Sequence, residues 1–182
     1  MALMCLHIAR FDAREGDDGR LLLLEEQDRA KWNQDFIHAG LRWLWESGVG
    51  NELSPYHLEA GIAAEHSLAA SFAETNWPRI LQLYNLLVKS WPTPIHRLNR
   101  GIAVAFVHGP QAGLSALAQI APDEFPPGYH LWDAALGELH RRAGNLGDAR
   151  RHLRRAIERT ASPSEQELLR SRLIAIDAGH ES

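Results

Sequence analysis

The sequence predicts an all-α chain built from antiparallel helical hairpins, preceded by an N-terminal helical section. Three observations carry that expectation. Two hairpin halves repeat 36 residues apart, so that Gly101 matches Gly137, Leu117 matches Leu153 and Ile120 matches Ala156. A third segment, WPRILQLYNLLV, joins at an offset of 33, placing Tyr84 before Leu117 and Leu87 before Ile120. Periods near 34 in helical sequence mark stacked helix–turn–helix units, none of which buries its apolar face alone. Finally, the breaks between apolar segments are short and rich in Gly and Pro, and short links enforce antiparallel neighbours.

Each element follows from local signals. Residues 2–14 are apolar at Leu3, Leu6 and Ile8 and then charged, which predicts a helix that opens without a cap, as in a piece of a longer chain. Asp17, Asp18 and Gly19 form a turn. Leu21–Leu24 is too short to distinguish strand from buried loop, and loop or a lead-in to helix is the reading adopted. Asp28 is the expected N-cap of a helix reaching Ser47 and stopped by Gly48 and Gly50. Trp32, Phe36, Ile37, Leu41, Leu44 and Trp45 cover more than half of its circumference, a pattern expected of a helix packed on two sides. Ser54 caps the next helix, with Pro55 at the first position, where a missing N–H costs nothing, and the helix runs to about Ser71. Thr75 or Asn76 starts another, with Pro78 in its first turn and Pro92 and Pro94 beyond its end. Helices are then expected at 95–107, 110–121, 129–143, 146–160 and 164–178. No Ser/Gly-rich linker interrupts the chain, so it reads as one domain over 1–182. Within it lie an N-terminal section (1–50), hairpins at 54–91, 94–121 and 128–160, and a capping helix at 163–178.

The last repeat is the sharpest. In LGELHRRAGNLGDARRHLRRAIE, the small residues Gly137, Ala149 and Ala156 permit a close helix crossing. Leu136, Leu146 and Leu153 are expected to fill the seam, and Gly144 closes the first helix in the left-handed region. This set resembles the tetratricopeptide repeat, which implies a right-handed array of hairpins. The middle copy departs from it, with Gly113 in place of Ala149 and Pro110 in place of Leu146.

Composition narrows the function. Of 182 residues 45% are hydrophobic and 23% charged, ordinary globular content, and the net charge of −4 argues against a whole-surface nucleic-acid binder. The single cysteine, Cys5, gives no sign of an oxidising compartment. No run approaches the ~20 apolar residues of a membrane helix, and the opening lacks a secretion signal, so a cytoplasmic protein without membrane partners is expected. His57 and His66 fall on opposite helix faces, and Glu59 and His66, though on one face, lie about 10 Å apart along the axis. No H-E-x-x-H pair, nucleophile elbow, GxGxxG or Walker loop occurs. Neither an enzyme nor a resident metal or cofactor is expected. A protein-binding module is the reading, with a helical metalloenzyme the remote alternative.

Two segments stand out as candidate protein-binding sites. From His140 to Arg159 seven arginines (141, 142, 150, 151, 154, 155 and 159) face only Asp148 and Glu158, while the whole chain is acidic. Arg150, Arg151, Arg154 and Arg155 fall on one helix face, which reads either as a solvated exterior or as a patch suited to an acidic protein surface. Base-stacking aromatics are missing there, which weakens a nucleic-acid reading. In EEQDRAKWN, Asp28 and Arg29 precede Trp32 by about one turn, and this trio reads either as an N-cap, a solvated arginine and a core tryptophan or as a joint. Carboxylate-gripping arrays need converging cations, and only Asn99 stands at such a place, with Leu131 and Ala135 where cations would be.

Several segments in order resemble the C-terminal extension of one group of bacterial extracytoplasmic-function sigma factors. They are LMCLHIARFDAR (3–14), GRLLLLEEQDRAKWN (19–33), SPYHLEAGIAAEHS (54–67), NWPRILQLYNLL (76–87), LNRGIAVAFVHGPQAGL (98–114) and YHLWDAALGELHRRAGNLGDARRHLRRAI (129–157). The family prefers Gly at Ser54, Gln near Glu59 and Asp near Glu74, which leaves any ligand near Glu59 open. The resemblance implies a non-catalytic regulatory domain that modulates sigma activity in transcription initiation. Tyr56, Glu59, Asn99 and Arg100, within the matching segments, join Asp28, Arg29, Trp32 and the four arginines as candidate contact residues. The implied partners are sigma domains of a parent chain, core RNA polymerase or a cytoplasmic regulator, with DNA touched by the sigma domains rather than by this chain. The alternative is a stand-alone adaptor for an unrelated protein.

Overall fold

The computed structural model describes residues 1–49 and 53–178. Among them the secondary structure is helical apart from one isolated bridge between Glu15 and Leu21. The all-α expectation therefore holds. Gly50, expected as part of a helix stop, lies outside the described residues. The chain groups into two compact units, Met1–Pro92 and Thr93–Ser182.

The first unit holds α1 (Ala2–Ile8), α2 (Gln34–Ser47), α3 (Pro55–Leu68) and α4 (Trp77–Ser90). The expected helix over 2–14 is shorter: α1 ends at Ile8, and a separate 3₁₀ turn covers Phe11–Ala13. Leu21–Leu24 is half-buried loop. The helix expected from Asp28 starts later. Asp28 accepts the Ala30 N–H at 2.9 Å and caps only a 3₁₀ turn, Arg29–Lys31. Trp32 is extended, and Asn33 caps α2 by accepting the Phe36 N–H at 3.1 Å. Two cap residues five positions apart compete for one helix start, and the second prevails because the Asn33 N–H also bonds Ala9 O at 2.8 Å.

In this unit α2 and α3 both pack on α1, and α3 and α4 form a hairpin. Gly40 makes the α1–α2 crossing close, since a Cβ there would stand 2.7 Å from Leu6 Cγ. Trp32, Ile37, Ala9 and Ala13 form a core with Leu24 and Leu41 at its edge. The apolar breadth of α2 does not produce burial on two sides, because Phe36, Trp43 and Trp45 are exposed. Ser54 starts α3, its N–H donating to His57 Nδ1 at 3.0 Å, and Asn76 caps α4. The helix ends at Leu68 rather than Ser71.

The second unit holds α5 (Pro94–His108), α6 (Pro110–Leu117), α7 (His130–Arg142), α8 (Leu146–Arg159) and α9 (Pro163–Ala178). Thr93 caps α5 through the His96 N–H at 3.1 Å. The α6 helix stops at Leu117, four residues short of the expected end, and the Ile120 N–H turns back to Leu117 O at 2.9 Å instead of continuing the α-helical ladder. Gly144 sits at φ 78, and the Asn145 and Gly144 N–H groups return to His140 O and Arg141 O, which closes α7 as expected.

The repeat seen in sequence is a repeat of contact. A Cβ on Gly101 would meet Leu117, and one on Gly137 would meet Leu153, each across its own hairpin. In the first unit Gly61 meets Leu83 in the same way, one position before the Tyr84 that the offset of 33 selects. One seam assignment changes. Leu136 packs with Leu98, Leu117, Trp132 and Leu139 towards α5 and α6, whereas Leu146 packs with Leu153, Ala156 and Leu169 towards α9. A leucine on each side of the α7–α8 pair thus faces a different core, because a hairpin inside a stack is covered on both faces.

Candidate interaction site

The EEQDRAKWN segment folds inward. Trp32 is 2% exposed, so it cannot meet a partner directly. Its indole lies beneath two cations, with the Arg29 guanidinium 4.0 Å and that of Arg10 5.0 Å from the ring centroid. Arg29 Nη1 donates to His66 O at 2.6 Å, tying the segment to α3. Gln27 Oε1 accepts from Arg10, and the Gln27 amide donates to Leu22 O. The joint read from sequence is therefore internal to this unit: Trp32 is core, Arg29 is half-buried, and only Asp28 of the three is exposed.

This joint is electrostatically costly. Burial, with Arg10 and Arg29 nearby, lowers the His66 pKa to about 4, so the ring is neutral. Burial and the neighbouring Arg14 and Arg29 bring Arg10 down to about 10. The Arg29 Nε, the Trp32 indole N–H and the His66 Nδ1 are buried without a hydrogen-bond partner. Burial, with Glu59 beside it, raises the Tyr84 phenol to about 12.

The remaining candidates differ in accessibility. Tyr56 is 69% exposed and lines an apolar groove with Met1, Met4 and Trp43. Glu59, Asn99 and Arg100 are half-buried, and Glu59 and Arg100 are engaged in interactions of their own.

The basic face of α8 is smaller than the sequence suggests. Arg150 turns to α9 and pairs with Asp177 at 2.6 Å, and Arg151 pairs with Asp148 at 2.8 Å. Arg159 reaches Asp133 at 2.5 Å, Arg141 pairs with Glu138, and Arg142 lies 4.3 Å from the Phe106 ring centroid. The α9 helix supplies a carboxylate that helical-wheel reasoning on α8 alone leaves out. Arg154 and Arg155 are exposed.

A buried polar group escaped the sequence reading. Asp133 is 2% exposed and is held by His152 Nδ1 at 2.8 Å and by Arg159. The His152 ring stacks on His140, with centroids 5.5 Å apart and planes 5° from parallel. The available signal was His152 itself, which falls between Ala149 and Ala156 on the buried side of α8. A histidine on such a face needs a polar partner within reach. Among the described residues no group of three metal-ligating side chains converges, and no helix is long and apolar enough to cross a membrane.

Comparison with known proteins places these features. Residues 1–48 match a family of unknown function (DUF6596), a stretch that contains α1, the Trp32 joint and α2. The chain is 34% identical over 173 residues to "Uncharacterized protein R00370" of Rhizobium meliloti (strain 1021). That alignment covers 94% of this chain and 40% of the relative, so the chain spans two fifths of the relative's length. No solved structure matches.

Proposed function

We propose that this chain is a non-catalytic, protein-binding regulatory domain of an extracytoplasmic-function sigma factor, acting on sigma activity during transcription initiation. The observation that carries the reading is the groove of the first unit, where Met1, Met4, Trp43 and Tyr56 stand exposed together. Aromatic and methionine side chains gathered at a surface concavity are the composition of a protein-binding core rather than of a solvated exterior. The ordered sequence segments that resemble the sigma-factor extension supply the class of partner, and the greater length of the R00370 relative is compatible with further domains in such a chain. Sigma domains of a parent chain are the favoured partner, ahead of core RNA polymerase or a separate cytoplasmic regulator.

The test is transcription in vitro with core polymerase and the sigma domains, with and without this chain supplied in trans. A several-fold change in promoter output supports the assignment. Unchanged output, with binding only to an unrelated protein, would establish the adaptor alternative.

A further inference from the structure

The N-terminal helix carries an apolar stripe on the side that its own fold leaves uncovered. Leu6 and Ala9 of this segment are buried against the rest of the unit. Met1, Met4, Ile8 and Phe11 are exposed instead, at 71%, 60%, 39% and 64%. The spacing of three and four residues places Met1, Met4 and Ile8 along one face of α1, and Phe11 opens the 3₁₀ turn that follows. At its N-terminal end the stripe forms part of the groove with Trp43 and Tyr56. Four exposed apolar side chains within one short segment are more than scattered surface residues, and the three on α1 are spaced like a seam along which a second helix packs.

The charge beside the stripe specifies the partner. His7 lies on α1, and Arg10 and Arg14 flank the 3₁₀ turn that carries Phe11 and Asp12. Arg14 is exposed, with its guanidinium 6.0 Å from the Phe11 ring centroid, so cation and apolar stripe are adjacent. Arg10 is bound only to the neutral Gln27 and to the face of Trp32. Among the described residues no carboxylate forms an ion pair with Arg10, Arg14 or Arg29, and Glu59 on α3 is the acid that acts on His7. Two guanidinium groups on the Trp32 ring and a third beside Phe11, none of them paired with a carboxylate among the described residues, leave this edge positively charged.

We infer that the exposed face of α1 and its following turn docks an acidic amphipathic helix, whose apolar side covers Met4, Ile8 and Phe11 and whose carboxylates meet Arg14 and Arg10. This rests on the protein-binding role proposed above and names the chemistry of the partner. Helix-on-helix docking of this kind takes its affinity from the apolar anchors. Its choice of partner and its salt dependence come from the flanking charge.

The probe is a fluorescein-labelled 18-residue peptide, helical in isolation, with leucines at heptad a and d positions and glutamates along one flank. Its counterpart carries lysines instead. Each is titrated with the 182-residue chain by anisotropy at low and at 0.5 M salt. The acidic peptide is expected to bind at least ten-fold more tightly than the basic one, with the difference shrinking at high salt. Phe11→Ser and Met4→Ser should each weaken it several-fold, and Arg14→Glu should invert the preference. All three sites are exposed, and circular dichroism checks that the variants remain folded. Equal binding of both peptides, or affinity indifferent to Phe11→Ser, would overturn the inference. So would a loss that follows Arg154→Glu/Arg155→Glu instead of Arg14→Glu. Retained control of promoter output by a Phe11→Ser chain that no longer binds the peptide would remove this surface while leaving the regulatory role intact.

Discussion

Adding one methyl group at Gly113 tests the close packing of the α5–α6 hairpin. A Cβ there would stand 2.5 Å from Ala105 Cβ, 3.0 Å from Gly101 O and 3.2 Å from Ala105 Cα. Carbon atoms rest at about 3.5–4.0 Å, so the hairpin must open by roughly 1 Å. None of the three obstacles can turn away, because two are backbone and the third is the first atom of a side chain. Overpacking of this kind costs ~1–3 kcal/mol. Against it stands the gain of alanine over glycine in a helix, at most ~1 kcal/mol. The net expectation for Gly113→Ala is a loss of about 1–2 kcal/mol, read as a lower urea midpoint at unchanged slope. Gly147→Ala supplies the opposite case: nothing lies within 4 Å of its would-be Cβ, so only the helical gain remains. It should be neutral or more stable than wild type by up to ~1 kcal/mol. A Gly113→Ala midpoint equal to or above that of Gly147→Ala would refute the argument that steric approach, and not turn geometry, requires glycine at that position.

Further expectations follow from the buried charges and the surface. Asp133→Ala should cost about 2–4 kcal/mol by denaturant unfolding, since it strands His152 and Arg159, with the exposure of Arg159 moderating the loss. His66, held neutral to about pH 4, favours folding fully above its unfolded pKa near 6.5 and loses that contribution as pH falls from 6.5 towards 4. His66→Leu should therefore flatten the stability profile in that window, and an unchanged slope would count against the burial of the ring. Arg154→Glu/Arg155→Glu should leave the melting temperature within about 2 °C of wild type, as exposed substitutions do, because both side chains lie on the surface. If α8 meets an acidic partner in the proposed role, the same pair should reduce the effect of the chain on promoter output in the in vitro assay. A peptide ending in EEVD should show no micromolar affinity by calorimetry, since Leu131 and Ala135 offer no cation to its carboxylate.

Much of the architecture was legible because it is written in local chemistry. Pro55, Pro94, Pro110 and Pro163 each stand at the first residue of a helix, and Gly144 ends one in the left-handed region. The glycine–leucine pairs at 101/117 and 137/153 could be paired by period alone, since a repeat in sequence imposes a repeat in contact. What failed depended on distant residues. Asp28 is a good cap, but the bond from Asn33 to Ala9 moved the helix start, and nothing within a window of ten residues reports it. The arginines of α8 read as one face, yet Asp177 on another helix takes Arg150. Of the two readings of Trp32, core residue and contact residue, the structure supports the first. Its two arginine neighbours, 22 positions and 3 positions away, make it a core residue that resembles a contact residue in sequence.

The long loop between α1 and α2 has a consequence for how the first unit assembles. Its ties reach from Asn33 back to Ala9 and from Arg29 forward to His66, separations of 24 and 37 residues, whereas hairpin contacts close within a few turns. Contacts of long separation carry the larger loop-closure cost and form after local ones. The α3–α4 hairpin should thus gain amide protection early during refolding, and the Asn33 amide late. On a ribosome, Arg29 must wait until His66 has emerged before it can close. The loop is then the last piece to set, and a chain deprived of it would retain helices while losing their fixed arrangement.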